Sequence, residues 1–263
     1  MRYIASKDNL TIKQAIKLKD KKYRCRDGMF LMEGRNNVTE AIKRQDLLIR
    51  IFIENGREEE YDSLLQKNPQ IEWISVDKKL LDMICDTEHP QGIAAVMRIP
   101  QANLVNLTKQ ASLLLLLDQL SDPGNLGTII RTARAFSVDG ILMSRNCADP
   151  FSPKVVRASM GGVLNIPIYS DIDIMDIERL RCQGYILYCS SPSAKDDLYD
   201  LNLTGRSIIV IGNEARGVSN KIKSLCQHQF KIPHDSQVES LNAAIACAII
   251  LGEAFRQRRP SLF

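Results

Sequence analysis

Apolar and polar positions along this chain follow two alternating periods. In the first hundred residues, short apolar runs, "GMFLME" (28–33), "LIRIFI" (48–53), "IEWISV" (71–76) and "GIAAVMRI" (92–99), are separated by amphipathic stretches at Asn37–Gln45 and Glu58–Gln66. Strand-length runs between helical periods predict a small α/β unit. The stretch "PQANLVNLTKQAS" (100–112) is polar and without a strong period, so it reads as a linker. The predicted division is residues 1–100, a linker over 101–111, and a second domain over 112–263.

The second domain resumes the alternation. Strands are predicted at Leu113–Leu117, Gly140–Met143, Ile166–Tyr169, Tyr185–Cys189, Ser207–Ile211 and Gln229–Ile232. Between and after them, helices are predicted at Gly127–Phe136, Pro153–Met160, Ile174–Cys182, Ser219–Leu225 and Val238–Arg256. Such βα repetition implies a mostly parallel sheet with helices on both faces, where ligands sit beyond the carboxyl ends of strands.

Three loops at such strand ends carry candidate chemistry: "DQLSDPGNLGTIIR" after Leu117, "GNEARGVS" after Ile211 and "PHDSQVESLN" after Ile232. If their strands are neighbours, the loops converge on one site. The first loop looks like a phosphate cradle, but it lacks the glycines of G-x-G-x-x-G and the lysine of G-x-x-x-x-G-K-[ST]. Pro123 and Gly124 suit a turn, Gly127 a close backbone approach, and Asn125 offers both a donor and an acceptor. Arg131 falls near the start of the predicted helix, where a cation works against the helix dipole. An anionic partner such as an RNA phosphate explains it, and a solvated surface arginine is the alternative. Glu214 and Asn213 stand between two glycines, Ser240 reads as an N-cap of the last helix, and Asn242 falls inside that helix.

Charge sharpens the picture of the front domain. Net charge is +4, yet residues 1–50 hold 13 Lys/Arg against 6 Asp/Glu, and residues 51–100 hold 5 against 10. "KQAIKLKDKKYRCR" (13–26) places seven basic residues around one tyrosine, the footprint of a phosphate-backbone contact or of a solvated helix face. Lys13, Lys17, Lys21, Lys22, Arg24 and Arg35 are its candidate RNA contacts, with Arg134 as an auxiliary one in the second domain. With 44% apolar and 25% charged residues the chain has a soluble globular make-up. Charges break up its first 22 residues and no apolar stretch approaches the roughly 18 residues of a membrane helix, so a cytoplasmic protein is expected. Seven scattered cysteines without a C-x-x-C pair and three dispersed histidines predict neither a disulfide framework nor a metal site. His89, in "HPQG", reads as a turn residue rather than a base.

"DPGNLGTIIRTARAF" (122–136), "SPKVVRASMGG" (152–162), "IGNEARGVS" (211–219) and "IPHDSQVESLNAAIA" (232–246), in this order and spacing, resemble the SpoU (TrmH-like) RNA ribose methyltransferases of the SPOUT class. "GMFLMEGRNNVTEAI" (28–42) and "EHPQGIAAV" (88–96) resemble the substrate-binding domain that many of these enzymes carry in front. The resemblance implies a deep trefoil knot, a homodimer, and S-adenosylmethionine as methyl donor to a ribose 2′-oxygen of RNA, with 23S-type ribosomal RNA favoured over transfer RNA. It places Gly212, Ile232 and Leu241 around the cofactor and Asn125, Arg131, Glu214, Ser240 and Asn242 in the catalytic constellation. Arg131 is implied either as base or as the cation that holds the 3′-phosphate and stabilises the developing alkoxide. Ser137, His234, Ser236, Ala243 and Ala244 depart from the usual letters, and Ser236, where glycine is frequent, is expected to alter the cofactor pocket. The competing readings are a non-catalytic RNA-binding or assembly factor on the same fold and a nucleotide-binding α/β protein.

Overall fold

The computed structural model describes residues 1–107, 112–191, 193–235, 237–238 and 240–259. Residues 108–111 of the predicted linker and Ser236 lie outside the described residues. The chain divides into two units, one of residues 1–101 and 149–164, the other of residues 102–148 and 165–263.

In the first unit strands β1 (Arg2–Ile4), β2 (Met29–Glu33), β3 (Leu48–Glu54), β4 (Trp73–Val76) and β5 (Ile93–Arg98) form a mixed sheet in the order β1-β4-β3-β5-β2. Its helices are α1 (Leu10–Lys17), α2 (Lys21–Asp27), α3 (Arg35–Ile42), α4 (Asp62–Lys67) and α5 (Lys78–Ile84). The basic stretch forms α1 and α2 because each begins with a side-chain cap. Asn9 accepts from the Thr11 amide and Asp20 from the Lys22 amide, and Gly28, at φ 63°, ends α2 in the left-handed region. Ile12, Ala15 and Leu18 turn inward while Lys13, Lys17, Lys21 and Lys22 remain exposed. Lys17, Lys22 and Arg26 stand 5.2, 5.9 and 4.8 Å from the centroid of the Tyr23 ring, an aromatic ringed by cations.

Arg24 corrects the expected RNA contacts. It is 4% exposed, and its guanidinium donates to Asp149 Oδ2 at 3.0 and 2.6 Å and to the carbonyls of Leu18 and Lys19 at 2.7 Å each. A charge count along the sequence cannot separate this internal clasp from the exposed lysines around it. The clasp also ties α2 to the segment 149–164, whose helix Pro153–Ser159 packs on β2. There Phe151 meets Phe30 with ring centroids 5.0 Å apart, and Arg157 bridges Asp86 at 3.0 Å.

Among the described residues the second unit carries a seven-stranded sheet of β6 (Leu113–Leu117), β7 (Gly140–Ser144), β8 (Ile168–Ile172), β9 (Ile186–Ser190), β10 (Asp196–Asp197), β11 (Ser207–Ile211) and β12 (His228–Lys231). Their order is β10-β12-β9-β11-β6-β7-β8 and every pairing is parallel. Five consecutive leucines make β6 because both its faces are covered, as a central parallel strand requires. The helices are α6 (Pro123–Ala135), α7 (Pro153–Ser159, already placed in the first unit), α8 (Ile174–Cys182), α9 (Asn220–Lys223) and α10 (Ala243–Arg258), with α6 and α10 packed together.

Two helix starts differ from the expectation. Asp122 is an N-cap that accepts from the Asn125 amide at 2.7 Å, and Pro123 takes the first helical position. The letters Pro-Gly-Asn are therefore helix rather than free turn, and Arg131 lies in the third turn of α6, away from the positive end. At α10 the cap is Asn242, whose Oδ1 accepts from the Ala244 and Ile245 amides at 2.9 and 3.3 Å. Ser240 does not cap it, and Val238, Ser240 and Leu241 precede the helix.

Replacing one partner of the buried clasp leaves an uncompensated charge, so Arg24→Ala is expected to cost the first unit about 3–5 kcal/mol. Denaturant unfolding followed by Trp73, on β4 of that unit and the single tryptophan of the chain, measures it. Lys22→Ala is expected to leave the same transition within about 0.5 kcal/mol.

Candidate active site

The parallel sheet aligns its strand ends. Leu117 lies opposite Ile211, so the chain leaves β6 and β11 side by side, and the Asp118 amide donates to the Ile211 carbonyl at 2.8 Å. Asp118, 2% exposed, then accepts from the Ser219 amide at 2.7 Å and from the Ser144 hydroxyl at 3.1 Å. Ser144 Oγ in turn accepts from the Gln119 amide at 2.9 Å. One buried carboxylate thus ties three loops at the carboxyl edge of the sheet, a role the sequence signals only as an acid directly after a leucine run.

Above this base the predicted residues meet. Asn125 Nδ2 donates to Glu214 Oε1 at 3.1 Å, and Asn242 Nδ2 donates to Asn125 Oδ1 at 2.9 Å. The Asp122 amide reaches Glu214 at 3.2 Å, with the amide and hydroxyl of Ser121 at 3.5 and 3.4 Å. Burial alone would raise the Glu214 carboxyl. Its own backbone amide, the Asn125 side chain and the amides of Asp122 and Ser121 together outweigh that and hold it below the usual carboxylate range. Asn213 shapes the loop that presents Glu214. Its Oδ1 accepts from the Ala215 and Arg216 amides at 3.0 and 3.1 Å, and its Nδ2 donates to the Gln119 carbonyl at 2.9 Å.

A cavity of about 520 Å³ opens beside this network, and Gly212, Ile232 and Leu241 all line it, with Glu214, Ser240 and Asn242. Gly212 has no alternative: a Cβ there would stand 2.2–2.5 Å from backbone atoms of Gly217 and Val218, because Asn213 and Gly217 exchange two backbone hydrogen bonds across the turn. Strand β9 lies between β11 and β12, so Cys189, Ser190 and Ser191 at its end also face the cavity. Sequence reading missed these three, together with Arg216, Lys223, Lys231 and His234, because strand order is not encoded in any local pattern.

Arg131 is exposed and makes no hydrogen bond or ion pair among the described residues. Six residues of helix put it about 9 Å along α6 and about 120° around it from Asn125, on another face. Ser240 makes no hydrogen bond among the described residues, and Arg134 reaches the Asn165 carbonyl at 3.2 Å. In the first unit Lys13 pairs with Asp8 at 2.8 Å, and exposed Arg35 lies 6.0 Å from the Tyr61 centroid while its amide donates to Gln91. Among the described residues no cluster of three or more His, Cys, Asp or Glu side chains can hold a metal, and no helix is long and apolar enough to cross a membrane. Every cysteine is free, and burial pushes the Cys85 and Cys247 thiols up.

Fold and site define an α/β enzyme with its ligand cavity beyond the carboxyl edge of a wholly parallel sheet. Residues 112–252 match the SpoU rRNA methylase family, and residues 9–95 match the MRM3-like substrate binding domain. The chain belongs to the SpoU rRNA methylase family. It is 31% identical over 251 residues to the 23S rRNA (guanosine(2553)-2′-O)-methyltransferase of Bacillus subtilis, covering 95% of this chain and 98% of that relative. The AdoMet-bound SpoU methyltransferase AviRb of Streptomyces viridochromogenes superposes with a TM-score of 0.86 at 30% identity, covering 95% of this chain and 98% of that one. An AdoMet-bound rRNA methyltransferase from Sinorhizobium meliloti gives 0.86 at 27% identity, with 98% and 99% covered.

Asn242→Ala removes a cap and a link of the network and is expected to lower stability by about 1–2 kcal/mol, while Asn242→Asp, which keeps the cap, loses less; thermal unfolding checks the ranking. Because the folded Glu214 carboxyl is held low, its stabilisation is complete above the ordinary value near pH ~4.3 and is lost as pH falls through the lower folded value. Wild type and Glu214→Gln are therefore expected to differ in stability at pH 7 and to converge in acid, as denaturant titrations across that range would record.

Proposed function

We propose that this chain transfers the methyl group of S-adenosylmethionine to a ribose 2′-hydroxyl of ribosomal RNA, with 23S-type RNA as the substrate class, acting in the cytoplasm as a homodimer. The observation that carries this reading is the cavity lined by Gly212, Ile232 and Leu241 with the Glu214–Asn125–Asn242 network at its side. The residues fit the cofactor. An apolar wall of Ile211, Ile232, Leu241 and Ala246 suits a flat heterocycle, the Gly212 turn brings bare backbone to the cavity, and Arg216, Lys223 and Lys231 suit a carboxylate. When bound, S-adenosylmethionine supplies a methyl group already activated on sulfur.

Alignment and removal of one hydroxyl proton are then left to the protein. Glu214 is a positioning residue, since its oxygens are already taken by the start of α6 and by Asn125. Asn125 and Asn242 fix the wall on the acceptor side, and the Ser240 hydroxyl keeps its donor and acceptor capacity for a ligand. The Arg131 guanidinium, without a partner among the described residues, suits the RNA phosphate and the charge that develops on the ribose oxygen. Its separation from Asn125 around α6 supports a site completed between two copies of the chain. So does Ile245, 53% exposed on α10 beside α6. The deep trefoil knot belongs to the same reading, supported by residues 211–218 lining one cavity with Lys231, Ile232, His234 and residues 240–243. Lys13, Lys17, Lys21 and Lys22 around Tyr23, with Arg35, are read as the RNA contacts of the first unit.

The test supplies labelled S-adenosylmethionine with unmodified ribosomal or transfer RNA, followed by digestion and mass spectrometry of the nucleosides. One labelled 2′-O-methylnucleoside from ribosomal RNA is expected. Label in transfer RNA alone would move the substrate class, and cofactor binding without label in either would leave a non-catalytic RNA-binding protein. Arg131→Ala is expected to abolish label while leaving cofactor affinity within about twofold. Gly212→Ala is expected to abolish cofactor binding itself, read by calorimetry.

A further inference from the structure

We infer that His234 is a specificity-determining residue of the cavity, its imidazole relaying the acceptor character of the Ile232 carbonyl to an N–H group of the bound ligand. Ile232 and His234 both line the cavity, and His234 Nδ1 lies 2.6 Å from the Ile232 carbonyl oxygen. A carbonyl oxygen accepts and never donates, so Nδ1 carries the proton in this contact. A neutral imidazole with its proton on Nδ1 presents a lone pair at Nε2. In its neutral form the ring is therefore a donor towards the backbone and an acceptor one ring-width further out.

The surrounding charges make that acceptor useful. Arg216, Lys223 and Lys231 around the cavity are donors without lone pairs, and Asp197, which pairs with Lys231 at 3.5 Å, is not among the lining residues. Glu214 faces the cavity with oxygens already engaged by Asn125, Asp122 and Ser121. Nε2 of His234 has no internal partner among the described residues. A ligand with both a carboxylate and an N–H donor is therefore matched by the cations and by His234 respectively. This rests on the proposed function, in which the S-adenosyl ligand offers two such donors, the amine of its adenine and its amino-acid ammonium.

The experiment measures calorimetric affinity of wild type, His234→Met and His234→Gln for S-adenosylhomocysteine, its inosine analogue without the ring amine, and methylthioadenosine without the ammonium. One lost hydrogen bond predicts about three- to tenfold weaker binding of S-adenosylhomocysteine to His234→Met, with His234→Gln, which can both donate and accept, recovering most of it. The analogue that lacks the contacted group is expected to bind wild type and His234→Met alike, which says whether the amine or the ammonium is read. In 15N–1H spectra of the imidazole, Nδ1 is expected to be protonated in the free protein, and ligand addition to move Nε2. Equal affinity of wild type and His234→Met for S-adenosylhomocysteine, with an unmoved Nε2, overturns the relay. Failure of the wild type to bind any of the three ligands overturns the proposed function instead.

Discussion

The site depends on where the Glu214 carboxylate finds its donors. The carboxylate stands on the loop after β11, and the groups that satisfy it, the amides of Ser121 and Asp122 and the side chain of Asn125, belong to the start of α6. That meeting is possible because Leu117 and Ile211 are in register on adjacent parallel strands. Asn242 extends the chain of contacts to α10, so a single ionised group orders three segments far apart in sequence. In such a network each member is held by the next, and an unpaired member would cost more than the bond it makes.

The network separates groups committed to architecture from groups left for ligands. Glu214, Asn125 and Asn242 direct their hydrogen bonds to one another and to the starts of α6 and α10, and Asp118 directs its own to the loops below. Arg131, Ser240 and Nε2 of His234 have no partner among the described residues. Rigid support beneath a few unsatisfied groups is the arrangement that binding and group transfer both require, because the ordering cost is met in the free protein. The first unit shows the same division: Arg24 is locked inside, and the lysines around Tyr23 face outward.

Much of this was legible in the chain. The strand at Leu113–Leu117 and the helix at Ile174–Cys182 have the predicted boundaries, since a continuous buried run and a capped helical period are local signals. The helix starts were misread where two local signals compete. Proline, glycine and asparagine favour turns, but a capping aspartate before a proline favours a helix, and at Asp122 the cap wins. Ser240 has the chemistry of a cap, yet the backbone reaches helical geometry two residues later, where Asn242 does the same work. Residues 149–164 lie within the predicted second domain in sequence but pack with the first unit, where Phe151 and Arg157 find their partners.

The sequence by itself determined the alternation of strands and helices, the family of the chain, and part of the cavity lining, Gly212, Glu214, Ile232, Ser240, Leu241 and Asn242, because each is written in local pattern or in an ordered set of motifs. The tertiary structure alone decided that β9 stands between β11 and β12 and brings its own serines and cysteine to the cavity. It decided that Arg24 is a buried clasp while Lys22 is exposed, and that Nδ1 of His234 binds its own backbone while Nε2 has no partner among the described residues. These outcomes depend on strand order, burial and hydrogen-bond direction. All three are properties of contacts between residues distant along the chain, and no window of neighbouring letters contains them.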